Sequence, residues 1–289
     1  MRPFLFSLLV CLAATTSATT SADTSPAASP AASPAEFSAA VQPLVIGETL
    51  MLASRALAET RRINVYRPPV EGVNPEAALP VLLMPDGGLA EDFLHVAGLL
   101  QVGVANGTVR PFLLVGIENT QRRRDLTGPT EQASDRKIAP QVGGSAAFRR
   151  FIRDELLPAI AARYRVTNER ALMGESLAGL FVVETWVLEP ALFSTYIAFD
   201  PSLWWNAEGL MSQAQAALRE RQGVAPRLYL ASSSEPGLAR SGEAFAALLK
   251  RELAPSSAWS HWPMPQETHA TIYHPAALLA LRQLFKPAP

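Results

Sequence analysis

The stretch from 170 to 188 constrains the fold of this chain more than any other. An apolar run is followed by Gly-Glu-Ser-Leu-Ala-Gly at 174–179 and then by apolar residues with helical spacing. A strand that turns sharply into a helix needs small residues two positions before and two after the serine at its apex. Gly174 and Ala178 meet this requirement. The stretch therefore predicts a strand, a tight turn that exposes Ser176, and a helix.

A serine at such a turn can act as a nucleophile. The amide of Leu177, at the helix N-terminus, can then help to stabilise an oxyanion. Short Gly-x-Ser-x-small matches also occur by chance, so the alternative is a strand-to-helix connection with an incidental serine. The motif alone does not separate these two interpretations, and the rest of the chain has to decide.

Apolar runs typical of buried strands alternate with helical patterns along the chain. After a leading antiparallel pair, these runs lie at 80–84, 111–117, 170–173, 193–199, 227–231 and 259–262. The alternation predicts an α/β fold with a mainly parallel central sheet, an antiparallel N-terminal start and helices on both faces. A long polar segment, 118–142, is predicted to be a loop that is functional or mobile.

The N-terminal region predicts export. Residues 1–22 combine a cationic start, a short apolar run and small-residue cleavage sites, as in a secretory signal peptide. The Ala/Ser/Pro-rich residues 23–36 predict a linker, and 37–289 predict one domain. Cys11 is the only cysteine, so the mature protein would have no disulfide and no thiolate metal site. We expect a secreted or periplasmic protein without stable membrane insertion.

The overall charge gives no support for a nucleic-acid partner. Lys and Arg total 25 against 26 Asp and Glu, for a net charge of −1. A near-neutral chain lacks the broad positive field that attracts a polyanion. A small-molecule substrate is the expected partner, and the oligomeric state is left open.

Ser176 needs a base, because a serine hydroxyl is a weak nucleophile at neutral pH. His269 is the favoured candidate, since it lies in a loop between the last strand and the last helix. The other histidines are predicted in a helix, in a strand and at the start of the terminal helix: His95, His261 and His274. The order serine, acid, histidine favours Glu235 as the acid, after the strand at 227–231. Asp200, or a dyad with no acid, is the alternative.

Further site residues follow the predicted strands. Gly87 or Gly88 can supply the second oxyanion donor, unless the glycines only form a turn. Trp204 and Trp205 can wall a pocket for an aromatic or apolar substrate, or pack beneath the sheet edge. Arg122 and Arg124 can meet an anionic substrate, or belong to a solvated loop. No phosphate-binding glycine loop and no convincing metal-ligand cluster occurs in the sequence.

Three separated motifs together are far more specific than the turn alone. They are Gly-x-Ser-Leu-x-Gly-Leu-Phe at 174–181, the strand from Phe193 leading to Pro-Ser-Leu-Trp-Trp at 201–205, and Val-Gly-Ile-Glu-Asn-Thr at 115–120 with the arginines that follow. These motifs resemble the putative-esterase family of α/β-hydrolases. That family includes esterase D and siderophore esterases of the enterobactin and bacillibactin type. The similarity covers roughly 45–286.

The resemblance implies an α/β-hydrolase fold and hydrolysis of carboxylic esters without a metal or organic cofactor. It implies Ser176 as nucleophile, His269 as base, and an oxyanion hole from Leu177 and the Asp86-Gly87 loop. Two positions depart from the family pattern. Glu175 stands where the family commonly has histidine, and Ala178 where it commonly has glycine.

The sequence therefore predicts an exported serine esterase that forms an acyl-enzyme. Siderophore-type lactones are a narrower hypothesis, motivated by the tryptophan pair at 204–205 and the arginines of the long polar segment. An acyltransferase with the same serine and histidine, or a catalytically silent binding protein of the same fold, are the alternatives.

Overall fold

A computed structural model of the chain describes residues 41–69, 76–138, 141–221 and 225–287. One compact unit spans Val45–Pro289. The predicted signal peptide at 1–22 and linker at 23–36 lie outside the described residues and stay predictions. Within the described ranges, no helix has the length and apolar character needed to cross a bilayer.

The described strands form an eight-stranded mixed sheet. They are β1 (Glu48–Ser54), β2 (Glu59–Tyr66), β3 (Leu79–Met84), β4 (Leu113–Ile117), β5 (Val166–Glu175), β6 (Thr195–Phe199), β7 (Arg227–Ser232) and β8 (Trp259–Pro263). The spatial order is β1-β2-β4-β3-β5-β6-β7-β8. β2 is antiparallel to both β1 and β4, and the remaining pairs are parallel. The predicted mainly parallel sheet with an antiparallel start is confirmed.

Helices cover both faces of the sheet. They are α1 (Phe93–Ala105), α2 (Arg122–Leu126), α3 (Ala133–Ile138), α4 (Ser145–Phe151), α5 (Leu157–Arg163), α6 (Leu177–Leu188), α7 (Trp205–Glu220), α8 (Pro236–Glu252) and α9 (Tyr273–Leu284). A π-helical turn, Ile152–Leu156, joins α4 to α5. One apolar core includes α1 and α9, and the other includes α4 to α8.

Strand β3 shows how the sheet separates the two cores. All six of its residues are buried, as expected of a parallel strand covered on both faces. Leu82 and Met84 belong to the core of α1 and α9, whereas Val81 and Leu83 belong to the core on the other face. The alternation places successive side chains on opposite faces.

The segment predicted as a long polar loop contains two short helices, α2 and α3. Arg61 on β2 anchors it, because its side chain has no solvent exposure and its Nη1 lies 2.5 Å from Asp125 Oδ2. A buried guanidinium and a buried carboxylate need each other as partners. The polar composition of this segment thus reflects internal ion pairing as well as solvation.

Three residues with positive φ angles lie where central strands end. Asp86 (φ 54°), Ser176 (φ 60°) and Asp200 (φ 41°) follow β3, β5 and β6 respectively. Carboxyl ends of parallel strands meet at one sheet edge, where ligands bind in open α/β sheets. Strained backbone at three neighbouring ends marks this edge as the candidate site.

Candidate active site

The turn at Ser176 has the geometry that its small neighbours allow. Ser176 has φ 60° and ψ −119°, between the end of β5 and the start of α6. A Cβ on Gly174 would lie 2.7 Å from the Cβ of Ala178, and a Cβ on Gly179 would lie 2.9 Å from the carbonyl oxygen of Phe199. The predicted strand, turn and helix are therefore present, and the glycines are needed because backbone and side chains crowd the turn.

His269 contacts the serine directly. Its Nε2 lies 3.1 Å from Ser176 Oγ, and its Nδ1 lies 3.0 Å from Asp200 Oδ2. The tautomer that fits both neighbours donates from Nδ1 to the aspartate and accepts the serine proton at Nε2. This is the geometry of a nucleophile, a base and an orienting carboxylate.

The carboxylate beside His269 is Asp200, which corrects the expectation for Glu235. Asp200 is fully buried, and its Oδ1 accepts a hydrogen bond of 2.6 Å from the amide of Ser233. Glu235 precedes α8 with an exposed side chain, and no hydrogen bond or ion pair joins it to His269 among the described residues. Both carboxylates follow neighbouring strands, and the sharp turn at Asp200 is what brings its side chain to the histidine.

Hydrogen bonding and charge favour the protonated form of His269. The hydrogen bond to Asp200 raises the pKa of His269 above its ordinary value, against the opposite effect of partial burial. The negative charges of Glu175 and Glu235 act in the same direction as Asp200. A raised pKa makes the imidazole a stronger proton acceptor.

Glu175 is a second carboxylate beside the histidine. Its Oε1 lies 4.0 Å from His269 Nδ1, and its side chain is 19% exposed. Burial raises the pKa of Glu175 to about 7, although the positive charge of His269 opposes this. Burial together with the charge of Asp86 raises the pKa of Asp92 to about 6. The departure from the family pattern at 175 thus brings a titratable carboxyl group to the reacting centre.

The oxyanion hole differs from the expectation. Leu177 is the first residue of α6, so its amide has no acceptor within the helix and can serve as a donor. The amide of Gly87, in contrast, donates to the carbonyl oxygen of Ile117 (3.0 Å), and the amide of Gly88 donates to Glu91 Oε2 (2.7 Å). Both glycine amides are engaged, so the structure contradicts the prediction for Gly87.

Close packing explains the glycine at 87 instead. A Cβ there would lie 2.3 Å from the Cα of Gly116 on β4. A sequence cannot distinguish a glycine required by a neighbouring strand from one that presents its amide to a ligand, because both need a residue without a side chain.

Ser202 is a site residue that the sequence reasoning missed. Its Oγ lies 3.5 Å from Ser176 Oγ, its amide donates to the Ser176 carbonyl (3.0 Å), and it is 3% exposed. It belongs to the Pro-Ser-Leu-Trp-Trp motif, where the sequence-based prediction gave a role only to the tryptophans. A buried hydroxyl in a motif that follows the strand beside the nucleophile is the signal that could have identified it.

The two tryptophans occupy different environments. Trp204 is 37% exposed, whereas Trp205 is 5% exposed and donates from Nε1 to the carbonyl oxygen of Gly128 (2.9 Å). Trp205 lines a cavity of about 430 Å³ together with Leu180, Glu184 and other residues. Trp204 remains the candidate for substrate contact, and Trp205 has a packing role next to that cavity.

The predicted substrate arginine is engaged in structural ion pairs. Arg124 lies 2.8 Å from Glu59 and 2.7 Å from Asp125, which places it in the cluster around Arg61. This corrects the expectation that Arg124 meets the substrate. Arg122 is nearer to the site, where it binds both carboxylate oxygens of Asp86 at 2.7 Å.

The remaining histidines contact other partners. His261 on β8 lies 3.0 Å from Ser232 Oγ, and His95 on α1 lies 3.0 Å from His274 on α9. Within the described residues, no group of three or more metal-ligating side chains is placed to hold a metal ion.

The chain is similar in sequence to known esterases. Residues 54–248, more than half of the chain, match the model of the family described as "Putative esterase". A region of 179 residues is 31% identical to the ferri-bacillibactin esterase BesA of Bacillus subtilis and covers 55% of this chain and 59% of that protein. A region of 106 residues is 35% identical to a siderophore triacetylfusarinine C esterase of Aspergillus fumigatus, covering 35% of this chain and 34% of that protein.

A solved structure extends the comparison to the fold. The crystal structure of an IroE-like serine hydrolase from Shewanella oneidensis superimposes with a TM-score of 0.74 at 28% identity, covering 83% of this chain and 80% of that chain. The expected α/β-hydrolase fold is confirmed. The curated relatives are matched over only 59% and 34% of their own lengths. With the family model matched over most of the compact unit, the chain belongs to this esterase family.

Proposed function

We propose that this protein is a serine esterase that hydrolyses carboxylic esters through an acyl-enzyme. The single observation that carries the proposal is the hydrogen-bonded series Ser176, His269 and Asp200, with contacts of 3.1 Å and 3.0 Å. The relatives named as siderophore esterases support siderophore-type lactones as the substrate class. The family match supports ester hydrolysis in general.

In the first half of the reaction, Ser176 Oγ attacks the ester carbonyl carbon while its proton moves to His269 Nε2. The negative oxygen of the tetrahedral intermediate accepts a hydrogen bond from the Leu177 amide. The Ser202 hydroxyl can also donate to an oxygen bound near Ser176. The imidazolium then protonates the leaving alcohol as the carbon–oxygen bond breaks, which leaves the acyl group on Ser176.

In the second half, water replaces the alcohol. His269 Nε2 takes a proton from this water, whose oxygen attacks the acyl carbonyl carbon. Collapse of the second tetrahedral intermediate breaks the bond to Ser176 Oγ, which recovers its proton from His269. The carboxylate of Asp200 holds the imidazole in one tautomer and stabilises its charged form in both halves.

The test is hydrolysis of 4-nitrophenyl acetate and butyrate by the full chain and its variants. We expect Ser176→Ala and His269→Ala each to lose activity by about 1,000-fold or more. The residues of such a unit act together, so removing one of them removes most of the rate enhancement that the unit provides. The matched controls are Ser256→Ala, at an exposed serine, and His274→Ala, at a histidine that contacts His95. Both variants should keep the esterase activity. A fluorophosphonate should label Ser176 in the wild type. Activity that survives Ser176→Ala would refute the proposal.

A further inference from the structure

We infer that this site selects esters that carry no negative charge near the scissile carbonyl, and that Glu175 is the residue that determines this selection. The inference rests on the proposed esterase function and concerns the same site. It narrows the substrate class from siderophore-type esters in general to those that are uncharged or cationic near the reacting bond.

Glu175 lies in a position where its charge acts on the catalytic histidine. It immediately precedes Ser176 in the chain, and its Oε1 lies 4.0 Å from His269 Nδ1. Asp200 already accepts the hydrogen bond from that nitrogen, so Glu175 is not needed to orient the ring. Two carboxylates therefore flank one imidazole, and only one of them has the orienting role. The other adds negative charge beside the bond that reacts.

Further carboxylates lie in the loop between β3 and α1, and one of them, Asp92, acts electrostatically on Glu175. Asp86 lies after β3, with Asp92 before α1 and Glu91 next to it. Glu91 accepts from the Gly88 amide at 2.7 Å and from Asn119 Nδ2 at 2.9 Å. The charges of Asp92 and Asp200 act on Glu175, and those of Asp86 and Glu91 act on Asp92. These residues form one electrostatic group with the catalytic histidine.

The described cations near this group do not balance it. Arg122 acts electrostatically on Glu175 and Asp92, but its guanidinium is held by both oxygens of Asp86. One guanidinium thus faces four carboxyl groups, those of Asp86, Glu91, Asp92 and Glu175, and burial raises the pKa of Glu175 to about 7 and that of Asp92 to about 6. His95 Nδ1 lies 3.9 Å from Asp92 Oδ1, but burial lowers the pKa of His95 and so disfavours its charged form. Arg124 is paired instead with Glu59 and Asp125, in the cluster around Arg61.

This charge is accessible to a substrate. The side chains of Asp92, His269 and Arg122 are 39%, 38% and 36% exposed, while Glu175 keeps 19%. Glu175 acts electrostatically on His269, whose Nε2 lies 3.1 Å from Ser176 Oγ, so a charged group on an ester that reaches Ser176 interacts with Glu175 as well. An anionic group on the substrate is repelled there and a cationic group is attracted.

Two kinds of siderophore ester differ in charge because of their coordination chemistry. A ferric complex of three catecholates carries net negative charge, whereas a ferric complex of three hydroxamates is uncharged. We expect the site to prefer the hydroxamate complex, or a metal-free lactone, to the ferric tricatecholate. Specificity of this kind comes from repulsion of the wrong substrate as well as attraction of the right one.

The experiment compares three esters of the same acyl length: 4-nitrophenyl hexanoate, the mono-4-nitrophenyl ester of adipic acid and 4-nitrophenyl 6-aminohexanoate. They differ chiefly in charge at the far end of the acyl chain. For the wild-type full chain, we expect kcat/KM for the anionic ester to be about tenfold or more below that for the neutral ester. Added salt should reduce this ratio because it screens charge.

Glu175→Gln should raise the anionic-to-neutral ratio about fivefold, since it removes the charge and keeps the shape. Asp92→Asn should act in the same direction with a smaller effect. Because the pKa of Glu175 is about 7, the change should be larger at pH 8 than at pH 6. The ratio within one variant cancels any general loss of catalysis. Glu220→Gln, at an exposed glutamate of α7, is the matched control.

The outcomes are distinguishable. A ratio that rises in Glu175→Gln and stays constant in Glu220→Gln supports the inference. A ratio near one in the wild type, or one that Glu175→Gln and Asp92→Asn leave unchanged while the neutral ester is hydrolysed, overturns it and leaves the esterase proposal intact. Failure of the wild type to hydrolyse any of the three esters, together with no fluorophosphonate label on Ser176, overturns both.

Discussion

At the scale of single residues, the site concentrates strain and charge. Ser176 and Asp200 both have positive φ, a conformation that costs a residue with a side chain on the order of 1–3 kcal/mol. Backbone hydrogen bonds hold both turns in place, from the Ser176 amide to Phe199 (3.0 Å) and from the Asp200 amide to Ala231 (2.8 Å). Asp200 is also fully buried, so its hydrogen bonds to His269 and to the Ser233 amide are needed to stabilise its charge.

The assignment of Asp200 over Glu235 gives a direct prediction. Asp200→Asn should lower kcat by about 100-fold or more, because the amide no longer stabilises the imidazolium or selects its tautomer. Glu235→Gln should stay within about threefold of wild type, since this exposed side chain acts on His269 only through its charge. Steady-state hydrolysis of a neutral 4-nitrophenyl ester measures both. A larger loss in Glu235→Gln than in Asp200→Asn would restore the original assignment.

The charge of Glu175 should also set the pH profile. Glu175 raises the pKa of His269, which must be neutral to accept the serine proton. Glu175→Gln removes this effect, so the acidic limb of the kcat/KM profile for a neutral ester should move to lower pH by about half a unit or more. The two groups titrate as a pair, so the limb reports both. A limb that stays in place would show that Glu175 does not act on His269.

At the scale of elements, close contacts join the loop after β3 to β4 and to β2. Gly87 packs against Gly116, and its carbonyl oxygen accepts a hydrogen bond from Asn64 Nδ2 on β2 at 2.7 Å. The loop after β3 is therefore attached to two neighbouring strands. This attachment fixes Asp86 and its ion pair with Arg122 beside the site.

Gly87→Ala should destabilise this loop. Its Cβ would meet backbone atoms of β4 at 2.3–2.4 Å, and backbone cannot move aside as a flexible side chain can. We expect a loss of about 2 kcal/mol or more in the free energy of unfolding, measured by urea denaturation. Gly98→Ala on α1 is the control, because its Cβ would meet nothing within 4 Å. It should be neutral or stabilise by about 0.5–1 kcal/mol. Equal stability of both variants would contradict the packing argument.

At the scale of the whole molecule, two carboxylates, Glu59 and Glu175, make stability depend on pH in opposite ways. Burial disfavours the charge of Glu59, but hydrogen bonds from Arg124, Arg61 and Thr120 outweigh it and lower the pKa of Glu59 to about 2. The pKa of Glu175 is raised to about 7, chiefly by burial. A lowered pKa contributes stability that is lost in acid, whereas a raised pKa contributes stability that is lost as the pH rises.

Replacing either glutamate by glutamine should therefore change how stability depends on pH. Glu59 is ionised in the folded protein down to about pH 2, so wild type should lose stability relative to Glu59→Gln as the pH falls from about 4.5 to 2. Glu175 binds its proton in the folded state up to about pH 7, so wild type should lose stability relative to Glu175→Gln as the pH rises from about 4.5 to 7. Each difference should reach about 1 kcal/mol. Urea denaturation across this range measures both, and a pH-independent difference would contradict the linkage.

The sequence by itself determined the features that depend on local chemistry. The turn at Ser176 was predictable because only small residues fit at Gly174 and Ala178, and the layered sheet was predictable because buried strands are continuously apolar. His269 was identified by its place in the strand and helix order, and it does lie against Ser176. These inferences need only neighbours in the chain or the order of the elements.

Only the tertiary structure decided which distant groups meet. It placed Asp200 instead of Glu235 against His269, and it engaged the Gly87 amide with Ile117. It also paired Arg124 with Glu59 and brought Glu175 beside the histidine. Asp200 and Glu235 both follow strand ends, so composition and the order of elements do not decide between them. Arg122 and Arg124 likewise belong to one polar segment. The physical reason is that a charged side chain takes the partner that the folded backbone brings within hydrogen-bond distance, which the spacing along the chain does not specify.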